Sequence, residues 1–310
     1  MTTHATRCGF VAIIGAPNAG KSTLVNALVG TKVSIVSRKV QTTRMRIRGV
    51  AMHETSQVVL VDTPGIFQPR RKLDRAMVQA AWLGADEADL VCLLVDAEEL
   101  LQSPNGLSAR DTDRILQKLN EAQRSSILVI NKIDTMPRDR LLPLIEQLSK
   151  RARFDETFLV SASQKKGTAD LLRYLAKHVP EGPWAYPADQ AADMPMRQLA
   201  AEITRERIYD RLHQELPYAT TVVTEQWQSK PDGSARLEQT IFVERESQRA
   251  IVLGKGGATI KLLGETARKE MEELFGHKVH LFLHVKVREN WSEDPEHYRE
   301  MGLDMPDSKS

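Results

Sequence analysis

The sequence predicts an α/β fold: a mostly parallel sheet with helices on both faces, followed by a smaller α+β domain. Two observations predict it. From Phe10 to about Pro180, short β-rich runs alternate with helical patterns, as parallel strands joined by crossover helices do. After residues 180–196, which hold four prolines and little periodicity, the order changes to a helix, two strands, two helices and a strand. The 310 residues suffice for two ordinary cores, and 41% apolar with 27% charged residues excludes a disordered chain.

Strands of the first domain are expected at 10–14, 58–61, 90–95, 127–130 and 157–160, with helices such as 22–28 and 111–121 between them. In the second domain a helix is expected over 197–216 and alternating strands over 219–227 and 235–244. A short helix ends near Leu253. The next places Ile260, Leu263, Ala267, Met271 and Leu274 on one face, and a strand covers 278–287. The expected organisation is thus a first domain at 1–180, a linker at 181–196, a second domain at 197–290 and a loosely ordered polar tail at 291–310.

Cys8 and Cys92 lie far apart in apolar segments with no metal-ligand spacing, which fits reduced, packed thiols in a cytosolic protein. Near the N-terminus an apolar run is ended by Gly and Pro too early for a signal segment, and no stretch nears the roughly 18 apolar residues of a membrane span. The net charge of +2 hides an asymmetry. Residues 1–180 hold 26 Lys and Arg against 18 Asp and Glu, a net +8; residues 181–310 hold 17 against 23, a net −6. A nucleic-acid role for the second domain therefore needs a local patch. Residues 245–269 supply one, with six basic residues and two acidic ones.

Gly15, Ala16, Pro17, Asn18, Ala19, Gly20, Lys21 and Ser22 fit G-x-x-x-x-G-K-[ST], directly after a predicted strand and at the opening of a helix. Backbone N–H groups from Asn18 to Thr23 can wrap nucleotide phosphates there, helped by the helix N-terminus. Lys21 would neutralise the β- and γ-phosphates and Ser22 would ligate Mg²⁺. Asp62, Thr63, Pro64 and Gly65 follow the run VVLV. Asp62 would hold the metal through water, and the Gly65 N–H would meet the γ-phosphate; the same string also makes an ordinary Asp-Pro turn.

Asn131, Lys132, Ile133 and Asp134 follow ILVI in the same way. Asp134 can accept from guanine N1–H and the N2 amino group. Adenine would leave the carboxylate unpaired, at roughly 1–3 kcal/mol or more. Asn131 would reach the base and bridge to the phosphate loop, while the Lys132 stem covers the ring. Ser161 and Ala162, after FLV, would offer the Ala162 N–H to guanine O6.

These four motifs, with Thr42-Thr43-Arg44, resemble the five motifs of translation-factor-type GTPases, which implies GTP and GDP as ligands. By that resemblance Thr42 or Thr43 is the switch threonine that closes on Mg²⁺ and the γ-phosphate; both enter the site, with Thr43 favoured for the metal. Lys21, Thr43, Gly65 and Asn18 are the expected catalytic set. Ras-like GTPases orient the attacking water with a Gln after DxxG. Ile66 stands there in this chain and cannot hydrogen-bond water, so unaided hydrolysis should be slow. In related GTPases with a hydrophobic residue at that position, an Asn at the place of Asn18 ligates K⁺, which acts as an arginine finger does.

Gly254-Lys255-Gly256-Gly257 forms a G-x-x-G loop between two helical stretches, and the order α-β-β-α-GKGG-α-β matches a type II KH domain. Such a loop lets a nucleic-acid backbone approach without side-chain obstruction. Lys255 is the expected phosphate contact, with Arg245, Arg249 and Lys261 lending charge. Ile251, Val252, Ile260 and Leu263 are expected to be partly core and partly groove floor. Arg38, Lys39, Arg44, Arg46, Arg48, Arg70, Arg71 and Lys72 could face RNA or the KH domain.

One P-loop GTPase domain followed by this KH domain resembles the bacterial Era GTPases over about residues 7–303, most specifically in SRKVQTTR, VDTPGI, ELPY, VERE and GKGGATIK. The resemblance implies a monomer that hydrolyses GTP and binds the 3′ end of 16S ribosomal RNA. It further implies assistance to 16S processing and 30S subunit biogenesis, and a cytoplasmic location with a peripheral membrane-associated fraction.

Overall fold

The computed structural model describes residues 5–37, 39, 42–212, 216–289, 291 and 294–305. The expected Arg38 contact and parts of the SRKVQTTR and ELPY strings lie outside them. The chain divides into two compact units: residues up to 34 with 43–193 and those from 301 on, and residues 35–42 with 194–300.

The first unit is built on six strands: β1 (Arg7–Ile14), β2 (Ile47–His53), β3 (Ser56–Asp62), β4 (Leu90–Asp96), β5 (Ser126–Asn131) and β6 (Phe154–Leu159). They are ordered β2-β3-β1-β4-β5-β6, parallel except for the antiparallel β2–β3 pair. Helices α1 (Lys21–Val29), α2 (Lys72–Glu87), α3 (Ala97–Gln102), α4 (Leu107–Glu121), α5 (Leu141–Ser149) and α6 (Thr168–His178) connect them. Alternate residues of β1 enter two separate cores. Val11 and Ile13 pack with Leu24, Leu28 and Leu171; Ala12 and Ile14 pack with Ala81, Ile115 and Leu144. The sheet is therefore covered on both faces, as a parallel sheet must be.

The five expected strands are present. Strand β2 is an addition, hidden in the sequence because Gly49 interrupts its apolar run. A Cβ on Gly49 would meet the Val29 side chain at 2.8 Å, so glycine is what lets α1 approach the sheet.

Residues 181–193, most of the expected linker at 181–196, are laid along the first unit. The buried Gln57 carboxamide accepts the Ala185 and Tyr186 amides at 2.9 and 3.0 Å and donates to the Tyr186 carbonyl at 2.8 Å. The Val50 amide donates to Ala191 O at 2.8 Å, and the Asp193 amide to Arg48 O at 2.9 Å. Proline content marked the absence of regular structure, not the absence of contact.

In the second unit α7 (Met196–Arg211), β7 (Thr220–Ser229), β8 (Ala235–Val243), α8 (Glu246–Leu253), α9 (Ala258–Phe275), β9 (Val279–Val287) and α10 (Pro295–Glu300) follow in order. The sheet order is β7-β8-β9, antiparallel then parallel. Helix α7 ends at Arg211 with Leu212 already extended, short of the expected Leu216, which instead opens a 3₁₀ turn containing Pro217. Residues 35–42 belong to this unit: the Val36 amide donates to Glu206 at 2.7 Å, and buried Arg205 donates to Thr42 O at 2.5 Å.

The expected loose tail is anchored over its described part. Trp291 is buried and donates to Ala219 O at 3.0 Å, and Tyr298, Met301 and Leu303 are buried as well. Four well-spaced apolar side chains outweigh a polar average.

Candidate functional site

Strand β1 ends at Ile14, and residues 15–20 turn the chain into α1. Two positions need left-handed backbone: Asn18 at φ 62° and Gly20 at φ 96°. A Cβ on Gly20 would lie 2.4 Å from Asn131 Nδ2, so the second glycine of the motif also lets the base-motif asparagine reach the loop. Buried Lys21 donates to Gly15 O at 3.2 Å and Ala16 O at 2.9 Å. Burial pushes its ammonium down to about 8, partly offset by the nearby Asp62 carboxylate.

Asp62 ends β3 beside Ile13 of β1, which sets its carboxylate under the phosphate loop. Its Oδ2 accepts from Ser22 Oγ at 2.7 Å, Ser34 Oγ at 2.6 Å and Thr43 Oγ1 at 3.4 Å. Ser22 and Thr43 hydroxyls are 2.9 Å apart. Oδ1 is buried with no hydrogen-bond partner among the described residues. Burial pushes the Asp62 carboxyl up, against these hydroxyl bonds and Lys21. Three hydroxyls around a carboxylate with one orphaned oxygen form a hard, oxygen-only donor set that fits Mg²⁺. The structure brings Thr43 to this cluster. The Thr42 hydroxyl instead donates to Lys39 O at 2.7 Å.

Thr63 Oγ1 donates to Ile13 O at 2.8 Å, and the Ile66 amide donates to Gly15 O at 3.0 Å, tying residues 62–66 to the phosphate loop. Gly65 is pressed against Pro17: a Cβ there would lie 3.0 Å from its Cα. Pro64 is buried, and Ile66 is a core residue at 3% exposure, so its side chain offers water nothing.

Asn131 is the junction of the site. Its Nδ2 donates to Ala19 O at 2.9 Å and its Oδ1 accepts the Ala162 amide at 3.0 Å. Lys132, at φ 63°, pairs with Asp96 at 2.5 Å. Exposed Asp134 accepts from Gln164 at 3.2 Å. Ser161 is buried, its backbone paired with Lys166. Residues outside the expected set take part as well: Ser34 on Asp62, Asp96 on Lys132, Gln164 on Asp134, and Asn26, which holds the backbone of Ser34. None carries a motif, so only the folded contacts reveal them. Of the basic flank, Arg46 pairs with Glu87 at 2.6 Å and Arg48 with Asp193 at 3.3 Å.

In the second unit Gly254, Gly256 and Gly257 all have positive φ, at 72°, 60° and 78°. A Cβ on Gly254 would lie 2.1 Å from Thr259 Oγ1, whereas Gly256 and Gly257 face open space. The loop is closed beneath and bare above, at the N-terminus of the 18-residue α9. Lys255, Lys261 and Arg245 are exposed; Arg249 pairs with Glu246 at 3.2 Å. Val252 and Leu263 are fully core. Ile260 is half-buried and Ile251 is 56% exposed, so these two remain for a groove floor.

A phosphate loop with a magnesium-type oxygen cluster beside it, an N-K-x-D motif tied to that loop through Asn131, and a G-x-x-G loop on an α+β unit define a P-loop GTPase joined to a KH domain. Family comparison agrees: residues 10–132 match the 50S ribosome-binding GTPase family and residues 215–292 match the KH domain. GTPase Era of Afipia carboxidovorans is 60% identical over 303 residues, covering 98% of this chain and 96% of that protein. GTPase Era of Mesorhizobium japonicum is 57% identical over 304 residues, covering 98% and 96%. The crystal structure of a point variant of Aquifex aeolicus Era bound to GDP·AlF₄⁻ superposes with a TM-score of 0.88 at 37% identity, covering 96% of this chain and 99% of that one. An Era complex with MgGDPNP and nucleotides 1506–1542 of 16S ribosomal RNA gives the same TM-score, identity and coverage. The chain belongs to the Era GTPase family.

Proposed function

We propose that this GTPase binds single-stranded RNA at the 3′ end of 16S ribosomal RNA and assists 16S processing and 30S subunit maturation as a GTP/GDP switch. The observation that carries the RNA reading is the bare upper face of Gly256 and Gly257 at the start of α9, flanked by Lys255 and Lys261. Backbone amides and the helix N-terminus there suit phosphates, and Ile251 and Ile260 suit base faces. The family relative solved with 16S nucleotides 1506–1542 supports the choice of RNA.

In the GTPase unit the amides of residues 18–23 would hold the phosphates, and Lys21 would exchange its two loop carbonyls for phosphate oxygens. Ser22 and Thr43 would ligate Mg²⁺ and Asp62 would hold its water; bound Mg²⁺ neutralises charge on the β- and γ-phosphates. Gly65 would present its amide to the γ-phosphate, and Asp134 would select guanine. With Ile66 buried, hydrolysis is slow unless aided, and Asn18, exposed on the phosphate loop, would ligate a K⁺ that supplies the missing charge. Equal turnover in sodium and potassium buffers would remove the K⁺ role. The protein would act as a cytoplasmic monomer with a peripheral membrane-associated fraction.

The test is RNA affinity in two nucleotide states. An oligonucleotide of the 16S 3′ end should bind the chain more tightly with a nonhydrolysable GTP analogue than with GDP. By linkage the RNA should raise affinity for the analogue by the same factor. Equal RNA binding in both states overturns the switch.

A further inference from the structure

Ser34 lies in the segment between α1 and β2, outside every motif, yet it makes the shortest contact to Asp62. Its position is imposed from α1. Asn26 Oδ1 accepts the amides of Val33 and Ser34 at 2.8 and 2.9 Å, and Asn26 Nδ2 donates to Ser34 O at 2.7 Å. Residue 34 is thus gripped on both sides of its backbone. Its side chain, 1% exposed, places Oγ 2.6 Å from Asp62 Oδ2.

The three hydroxyls on Asp62 differ in what a metal would ask of them. Ser22 and Thr43 would give lone pairs to the ion. Ser34 lies outside the loop and switch motifs, is held by Asn26 of the helix that also carries Ser22, and has its hydroxyl proton on the carboxylate. All three donors converge on Oδ2, and Oδ1 is left buried and unpartnered among the described residues.

We propose that Ser34 is a positioning residue of the magnesium site: held by Asn26, it fixes the rotation of the Asp62 carboxylate and so the place of Oδ2, the oxygen that the Ser22 and Thr43 hydroxyls meet. The proposal rests on the assignment of Asp62 to Mg²⁺. Its chemistry is that of an outer partner that orients a carboxylate, whose removal commonly weakens metal binding about 10- to 100-fold.

The test reads the metal directly. Mn²⁺ serves as the spectroscopic probe, titrated into the full chain loaded with a nonhydrolysable GTP analogue, and its binding is followed by loss of the free-ion EPR signal. Ser34→Ala should raise the Mn²⁺ Kd about tenfold or more, while nucleotide affinity in EDTA stays at the wild-type value. Ser34→Cys, which keeps the volume but donates weakly, should follow Ala even where Ala loosens the fold. Ser34→Thr should restore wild-type metal affinity. Asp62→Asn separates the two readings. A shift with Asp62→Asn but none with Ser34→Ala or Ser34→Cys overturns the role of Ser34 alone. No shift with Asp62→Asn overturns the magnesium assignment and the proposal with it.

Discussion

Asn131 Oδ1 accepts the backbone N–H of Ala162 at 3.0 Å, so the amide expected to meet guanine O6 is engaged within the protein. With Nδ2 on Ala19 O at 2.9 Å, one carboxamide joins β5, the phosphate loop and the Ser161–Ala162 turn. Guanine would have to displace the first of these bonds, and the freed carboxamide oxygen is then available to the base.

Asn131→Ala should therefore cost stability before any nucleotide is added. It strands the buried Ala19 carbonyl and Ala162 amide, each worth about 1–3 kcal/mol when left unpaired. Urea unfolding of the nucleotide-free chain checks this; an unchanged midpoint would show that water replaces both partners.

Asp134 is exposed and bound only weakly within the protein, at 3.2 Å from Gln164, so its substitution should spare the fold. Asp134→Ala should weaken GTP binding by about 5- to 150-fold, corresponding to about 1–3 kcal/mol, and leave ATP binding as it was. Competition against a fluorescent GDP derivative measures both.

The lowered pKa of Lys21, about 8, gives nucleotide binding a pH dependence. Above pH 8 the free protein has largely lost this proton, and phosphates restore the charged form. Binding should then take up a proton at pH 8.5, and affinity should fall as pH rises. Calorimetry in two buffers of different ionisation enthalpy would read the uptake. Folding has its own sign: between about 8 and the ordinary 10.5 the unfolded chain holds more protons, so stability of the nucleotide-free protein should rise with pH across that window.

Lys255→Asp with Gly256→Asp should abolish binding of a pyrimidine-rich RNA oligonucleotide while GTP binding persists. Gly256 faces open space at φ 60°, so its replacement costs about 1–2 kcal/mol of backbone strain without a clash. Gly254→Ala differs in kind, because its Cβ would meet Thr259 Oγ1 at 2.1 Å; it should lower the melting temperature of the KH unit.

The two thiols should react in order. Cys92 is buried in the sheet, and burial pushes its thiol up to about 12, whereas Cys8 is half-buried. A maleimide should label Cys8 in the native protein and Cys92 only in denaturant.

The strands that carry the motifs were legible because each is a short apolar run ended by chemically demanding residues, as at Asp62 and Asn131. The contacts of Ser34, Asn26 and Asp96 were not. They join residues without a distinctive pattern, and only the fold sets Ser34 beside Asp62, Asn26 beside Ser34 and Asp96 beside Lys132. The same limit explains the tail: Trp291, Tyr298, Met301 and Leu303 are too sparse to form a periodic signal, yet each is buried. The apolar spacing of α7 continues past Arg211 although the helix ends there, because Leu212 is already extended, which periodicity does not mark.

Strand β2 is one of the two rims of the six-stranded sheet, and a rim strand is a template on which a second chain can dock. The segment after α6 denies that opportunity. It bridges Ala192 to Gly49, spends the Val50 amide on Ala191, and is pinned at its start by Gln57. A GTPase fragment cut after Pro180 would bare this rim and should self-associate as it is concentrated. One cut after Asp193 would carry its own cover, which makes those thirteen residues a guard against aggregation as much as a connection.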